Sequence, residues 1–536
     1  MRILRCGWLC LAACLAAGSV QAQVKERPIP QVVKKDGRYA LMVDGAPYLM
    51  LGAQAHNSSG WPAMLPKVWP AIETLQANTL EIPIYWEQFE PKPGQFDYTA
   101  IDTIVTQARE HHVRLDLLWF GTWKNGSQHY MPEWMKADPA RYFHLIDKDG
   151  HPADSPSPFC TASQELDIRA FSAFMRHLKA FDPQRTVIVV QVENEAGAWG
   201  SVRDYSPAAQ KLFDGPVPPE VLKAMGKAGG SAATWQEAFG SEAEVNFHAW
   251  AVATYVGKVA AAGKAIYPLP LYANAALRDP IKPGAPGSYE SGGPTDNVIP
   301  IWKVAAPALD IVSPDIYLDA PAAYLKVLEL YHRDDNPLFV PETSGGAAVS
   351  RFFFSALGLQ AIGYSPFGLD NSNMPSVPAG ASAGVHDSQY APTALNYRLI
   401  GPMMREIARL NFEGKLQAVA EEKGEPTKTL AFGKWNAVVS YGAGRANRVA
   451  AGNPEPTGRA LVAQLGDNQF LVAGYFCQVD FRPTDGDKRR QFMRVDEGTY
   501  ENGVFKFLRI LNGDETDWGL NLRGEPIALR VSLGVY

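Results

Sequence analysis

A chain of 536 residues is too long for one ordinary domain, and its 46% hydrophobic and 20% charged residues describe a folded, globular protein. The formal charge of −6, without a basic block, argues against a nucleic-acid partner, because phosphate backbones need clustered Lys and Arg. Aromatic residues reach 11%; a large aromatic core is the simpler account, and stacking of sugar rings on indole and phenol faces is the second.

Residues 1–22 read as an export leader: Arg2 and Arg5 precede an apolar stretch from Cys6 to Gly18, and Val20-Gln21-Ala22 offers a cleavage site. The mature chain is then expected to begin at Gln23, in the periplasm or outside the cell. Leu11-Ala12-Ala13-Cys14 resembles a lipoprotein box but ranks second, since the sequence after Cys14 is still apolar. No later segment is long and apolar enough to span a bilayer. Cys160 and Cys477, the two cysteines beyond the leader, are expected to be free thiols. With no HExxH and no CxxC, neither a metal nor a cofactor is expected.

Residues 23–410 read as an α/β unit. Apolar runs Tyr48–Ala53, Thr79–Ile84, Val113–Trp119, Val187–Val192, Leu269–Ala273, Leu309–Ser313, Leu338–Pro341 and Ala361–Pro366 alternate with amphipathic helices such as Tyr98–His111, Ile168–Ala180 and Glu242–Gly263. Continuous apolar runs suit parallel strands covered on both faces, and eight such units predict a (β/α)8 TIM barrel. No Gly-rich phosphate loop follows the first run, which disfavours a doubly wound sheet. Asn371–Ala391 reads as a linker or rim loop, and one last helix is expected from Ala391 to Asn411.

Residues 411–536 change pattern. Trp435–Tyr441, Ala460–Leu465, Phe470–Phe481, Gln491–Asp496, Val504–Leu508 and Ile527–Leu533 are strand-like, and Glu501-Asn502-Gly503 marks a hairpin. A smaller all-β sandwich is expected there, buttressing the barrel or binding glycan.

Function in such barrels concentrates at the C-terminal ends of the strands. The fourth run ends Gln191-Val192-Glu193-Asn194-Glu195 and the seventh ends Val340-Pro341-Glu342. Two carboxyls facing each other across the mouth suit glycosidic bond cleavage, in which one protonates the leaving oxygen and the other meets the anomeric carbon. A separation of about 5–5.5 Å gives retention. Glu195 is the expected acid/base and Glu342 the expected nucleophile. Asn194 is placed to bind the sugar 2-hydroxyl, and Tyr317 to hold the Glu342 carboxylate. Glu193 shares a strand face with Glu195 and reads as support one layer deeper, in need of a basic partner if ionised.

Trp69, Asn78-Thr79 and Ile84-Tyr85-Trp86-Glu87-Gln88-Phe89-Glu90-Pro91-Lys92-Pro93-Gly94-Gln95-Phe96-Asp97, with Gln191 to Glu195 and Gly197, resemble glycoside hydrolase family 35, the retaining β-galactosidases. Family 42 is the near neighbour. The resemblance covers about residues 45 to 370 and implies a carbohydrate substrate, a β-galactoside, attacked by the two glutamates. It implies sugar contacts from Tyr85 and from Asn125 in Phe120-Gly121-Thr122-Trp123-Lys124-Asn125-Gly126. Trp123 and the aromatics near Tyr364 and Phe367 are expected to stack on the ring. Ser127 stands where the family carries a sugar-contacting Glu, and Pro341-Glu342-Thr343-Ser344-Gly345-Gly346 departs from the usual nucleophile sequence. Either weaker discrimination for galactose or a compensating group from a neighbouring loop is therefore expected.

Overall fold

The computed structural model describes residues 26–227, 233–370, 390–442 and 450–536. The leader, its Gln23 and Cys14 cleavage sites, and the segment 371–389 lie outside the described residues. The apolar runs form eight parallel strands: β1 (Met50–Gln54), β2 (Thr79–Tyr85), β3 (Arg114–Lys124), β4 (Val187–Asn194), β5 (Leu271–Ala276), β6 (Ile311–Ile316), β7 (Phe339–Thr343) and β8 (Gly363–Pro366). They close into a barrel in chain order, β8 pairing with β1. Strand after strand is buried along its whole length, as parallel strands roofed by helices must be.

Among those helices are α1 (Thr99–Glu110), α2 (Thr161–Phe181) and α3 (Ala243–Ile266). Phe171 and Phe174 of α2 pack on Trp119, fixing the outer face of β3. An antiparallel sheet of Gln31–Lys35, Arg38–Val43 and Ala46–Tyr48 lies under the barrel. Its Leu41, Val43 and Tyr48 join Met50, Leu118, Ile188 and Phe339 in one apolar cluster that plugs the floor.

A polar layer sits in the lumen. Glu81 and Asp116 are register partners on β2 and β3. Ser365 donates to Glu81, and the Tyr272 hydroxyl donates to Asp116 Oδ2 at 2.9 Å. Burial drives both carboxyls well above their usual range, so the pair keeps a proton. Gly52 makes the layer possible: a Cβ there would lie 1.7 Å from Ser365 Oγ.

The expected last helix is two helices, α4 (Ala391–Ile400) and α5 (Met404–Phe412), parted by a tight turn at Gly401–Met403. Pro402 lacks the amide hydrogen a continuous helix would need. The sandwich follows: β9 (Leu416–Ala420), β10 (Thr427–Phe432), β11 (Trp435–Tyr441), β12 (Arg459–Gly466), β13 (Gln469–Tyr475), β14 (Cys477–Pro483), β15 (Arg490–Glu501), β16 (Val504–Ile510), β17 (Leu520–Leu522) and β18 (Ala528–Val535). One sheet runs β9-β12-β13-β18-β15-β16 and the other β10-β11-β14-β17. Phe470–Phe481 is two strands, because Phe476 at φ 53° bends the chain from one sheet into the other. Asn502 and Gly503, at φ 50° and 80°, form the left-handed two-residue turn expected between β15 and β16.

The sandwich is fused to the barrel. Arg351 Nε donates to the Glu421 carbonyl at 3.0 Å, Arg459 Nε to Asn396 Oδ1 at 2.7 Å, and the Tyr475 hydroxyl to the Leu395 carbonyl at 2.8 Å. Gly358 lies so close to β9 that a Cβ would sit 2.1 Å from the Ala418 carbonyl oxygen. Among the described residues no helix is long and apolar enough to cross a membrane. Cys160 and Cys477 are buried free thiols.

Candidate active site

The mouth of the barrel gathers carboxyls from four neighbouring strands or the loops after them. Glu342, on β7, is buried and receives two hydrogen bonds: the Tyr317 hydroxyl donates to Oε1 at 2.7 Å and Gln54 Nε2 to Oε2 at 2.9 Å. Two donors suit an acceptor-only carboxylate held in one orientation. Burial and the Glu342 charge push the Tyr317 phenol upward, so it keeps its proton and donates. Tyr317→Phe should therefore lower kcat about 10–10²-fold, the worth of one hydrogen bond to a charged group, with KM little changed. Unchanged kcat in steady-state assays would remove Tyr317 from the site.

Glu195 follows Asn194 at the end of β4, with its backbone in the left-handed region at φ 44°. Its amide donates to Asn274 Oδ1 at 2.9 Å, and its carbonyl accepts from Gly126 at 2.9 Å. Such backbone persists only where the surroundings fix it. The carboxyl is pushed up to about 7, first by burial and then by the Glu342 carboxylate, against the pull of Lys124 and Asp315. Burial, rather than Glu342, is the larger cause. Asp315, on β6, accepts from Asn274 Nδ2 at 2.6 Å and hydrogen-bonds Glu195. Burial and the flanking glutamates hold Asp315 well above the carboxylate range. Asn194 is buried with both side-chain amide atoms unpartnered, as a group awaiting a ligand would be.

Glu193 does not lie beneath Glu195. At φ 62° it breaks the strand alternation and turns to the helix layer, where it hydrogen-bonds Asp167 of α2 and accepts from the Trp123 amide at 2.7 Å. Its partner is another carboxyl, not a base. Burial and Asp167 raise its pKa far enough that a shared proton replaces the expected cation.

Asn125 stands exposed at φ 52° in the turn after β3, its amide donating to the Asn194 carbonyl at 3.2 Å and its side chain accepting from Lys124. Tyr85 is fully buried: its hydroxyl accepts from the Gly60 amide at 2.8 Å, and its ring is covered by Trp61 and Tyr130. It supports the half-exposed Trp61 rather than meeting solvent. Trp123 is likewise buried, edge-on to Tyr255, with its indole donating to the Gly197 carbonyl at 3.1 Å. The ring has no face left for a sugar. Tyr364 is buried and bonded to Tyr324 at 2.7 Å, while Phe367 packs on His56. Ser127 spends its hydroxyl on the Asp154 carbonyl.

Gln54, Lys124, Asn274 and Asp315 belong to the site, yet sequence reasoning did not single them out. All four are polar residues in or just at the end of apolar strands, and that is the signal that would have found them. Among the described residues no group of His, Cys, Asp and Glu is arranged to hold a metal ion.

Residues 67–262, which carry β2 to β4 and Glu195, match the family model described as beta-galactosidase; residues 393–523 match a domain of unknown function. The chain is 24% identical over 197 residues to beta-galactosidase 7 of Oryza sativa subsp. japonica, covering 35% of this chain and 24% of that one. It is 23% identical over 198 residues to beta-galactosidase 14 of Arabidopsis thaliana, covering 35% and 20%. The match thus spans about a quarter or less of those curated relatives. A beta-galactosidase structure from Bacillus circulans sp. alkalophilus superposes with TM-score 0.48 at 12% identity, over 67% of this chain and 57% of that one. Over the second to fourth barrel strands, the chain is similar to β-galactosidases.

Proposed function

We propose that the protein is an exported, retaining exo-β-galactosidase that removes terminal β-galactosyl residues from oligo- and polysaccharides such as plant cell-wall glycans. The observation that carries this reading is the unequal state of two facing carboxyls. Glu342 is gripped by Tyr317 and Gln54, whereas Glu195 is held protonated up to about pH 7. A poised nucleophile opposite a poised acid is what double displacement requires. Glu342 attacks the anomeric carbon as Glu195 gives its proton to the leaving oxygen. Glu195 then takes a proton from water, and that water's oxygen displaces Glu342. Asn194, with two unpartnered amide atoms, supplies the 2-hydroxyl contact. The similarity to β-galactosidases over residues 67–262 supports galactose as the sugar.

The test is a panel of nitrophenyl β-glycosides on protein recovered with Gln23 at its N-terminus, with NMR of fresh product. The β-galactoside should be preferred over the β-glucoside, and the first sugar released should be the β-anomer. A glucoside preference would overturn the galactose assignment alone, and early α-anomer would overturn retention.

A further inference from the structure

Beside Glu195, against the turns after β3 and β4, lies a carboxyl that the mechanism does not use. Glu290, in the loop after β5, is 2% exposed, and neither of its oxygens has a partner at hydrogen-bonding geometry. The Trp199 indole lies beside it. The carboxyl neighbours Glu195 and Lys124 and abuts Gly126 and Gly197 in the turns after β3 and β4, whereas Glu342 is on β7. Burying an unpaired carboxyl is costly and is rarely left uncompensated.

The surrounding chain reserves this place. A Cβ at Gly126 would come within 3.0 Å of Glu290 Oε1, and one at Gly197 within 2.9 Å of the same atom. Ser291, the next residue, exchanges backbone hydrogen bonds with Ala198 at 2.8 and 3.0 Å and donates its hydroxyl to the Val202 carbonyl at 2.7 Å. Trp199 lies over Gly126 with half its surface in solvent.

We propose that Glu290 and Trp199 form the subsite for the leaving-group sugar, the carboxyl taking its hydroxyls and the indole its apolar face. This rests on the glycosidase reading above. Because the acid protonates the departing oxygen, the leaving group lies beyond Glu195 from the nucleophile. A sugar there meets a group that can satisfy two hydroxyls and a half-exposed ring on which it can stack. The substrate class that follows is a β-galactoside whose aglycone is itself a sugar.

The experiment compares kcat/KM for galactosyl-β-1,4-glucose and β-1,4-galactobiose with that for nitrophenyl β-galactoside, in wild type, Glu290→Gln and Trp199→Ala. In each variant the disaccharide-to-nitrophenyl ratio should fall about 10–100-fold, mostly through KM for the disaccharides. Thermal melts establish that the variants fold, and the Gln substitution preserves shape. A ratio within threefold of wild type in both variants, or an equal loss on both substrate kinds, overturns the subsite. A wild-type protein that cleaves none of the three substrates overturns the galactosidase reading first, and the subsite with it.

Discussion

Glu342→Ala is expected to lose on the order of 10⁵-fold in kcat on nitrophenyl β-galactoside, because no other group can form the glycosyl-enzyme bond. Tyr317 and Gln54 would then point at an empty place of anionic shape. Azide should fill it, attack the anomeric carbon from the nucleophile's side, and expel nitrophenolate. The product should be the α-galactosyl azide, inverted relative to the substrate, with a rate that rises with azide concentration. If Glu342→Ala stayed within tenfold of wild type, the assignment of β7 as the nucleophile strand is wrong.

Glu195→Ala should divide substrates by leaving group. General acid catalysis is worth about 10²–10⁴-fold where the departing oxygen needs a proton, and little where it does not. The loss should therefore be large on disaccharides and small on dinitrophenyl galactoside. Azide here attacks the glycosyl-enzyme from the opposite face, so the product should be the β-galactosyl azide. The pH profile gives a second reading. The acid works in its protonated form, and burial and Glu342 hold its pKa at about 7, so kcat/KM should fall as pH rises through that value. Glu195→Gln should lose this basic limb. Equal losses on both kinds of leaving group, or an unchanged basic limb, would contradict the role.

The barrel was legible because its strands are buried on both faces, so Thr79–Ile84 or Val187–Val192 announce themselves as unbroken apolar runs. The C-terminal sheets were less so. Leu416–Ala420, Thr427–Phe432 and Leu520–Leu522 were missed, being short or only partly buried. The bend at Phe476 carries no Gly or Pro to mark it. At the site, Glu195 and Glu342 stood out as charges ending apolar strands, and Tyr317 by its place on the next strand. Direction was not legible. Tyr85 and Trp123 are of sugar-binding type and stand beside the mouth, but their polar atoms are spent on Gly60 and Gly197. Glu193 misled because a left-handed residue inside a strand cancels the alternation on which its placement rested. Glu290 sits in a loop, where a lone glutamate looks like any solvated one.

The junction between barrel and sandwich has an evolutionary consequence. The chain passes from α5 to β9 through only Glu413 to Lys415, and Gly358 accepts the β9 backbone at a distance no other residue tolerates. Arg459 and Tyr475 of the sandwich bind not the connecting peptide but Asn396 and Leu395 of α4. Shuffled onto another barrel, the β-strands alone would arrive without α4, and even a cut just upstream of Ala391 would leave behind Gly358 and Arg351, so the sandwich is tied to the barrel that carries them.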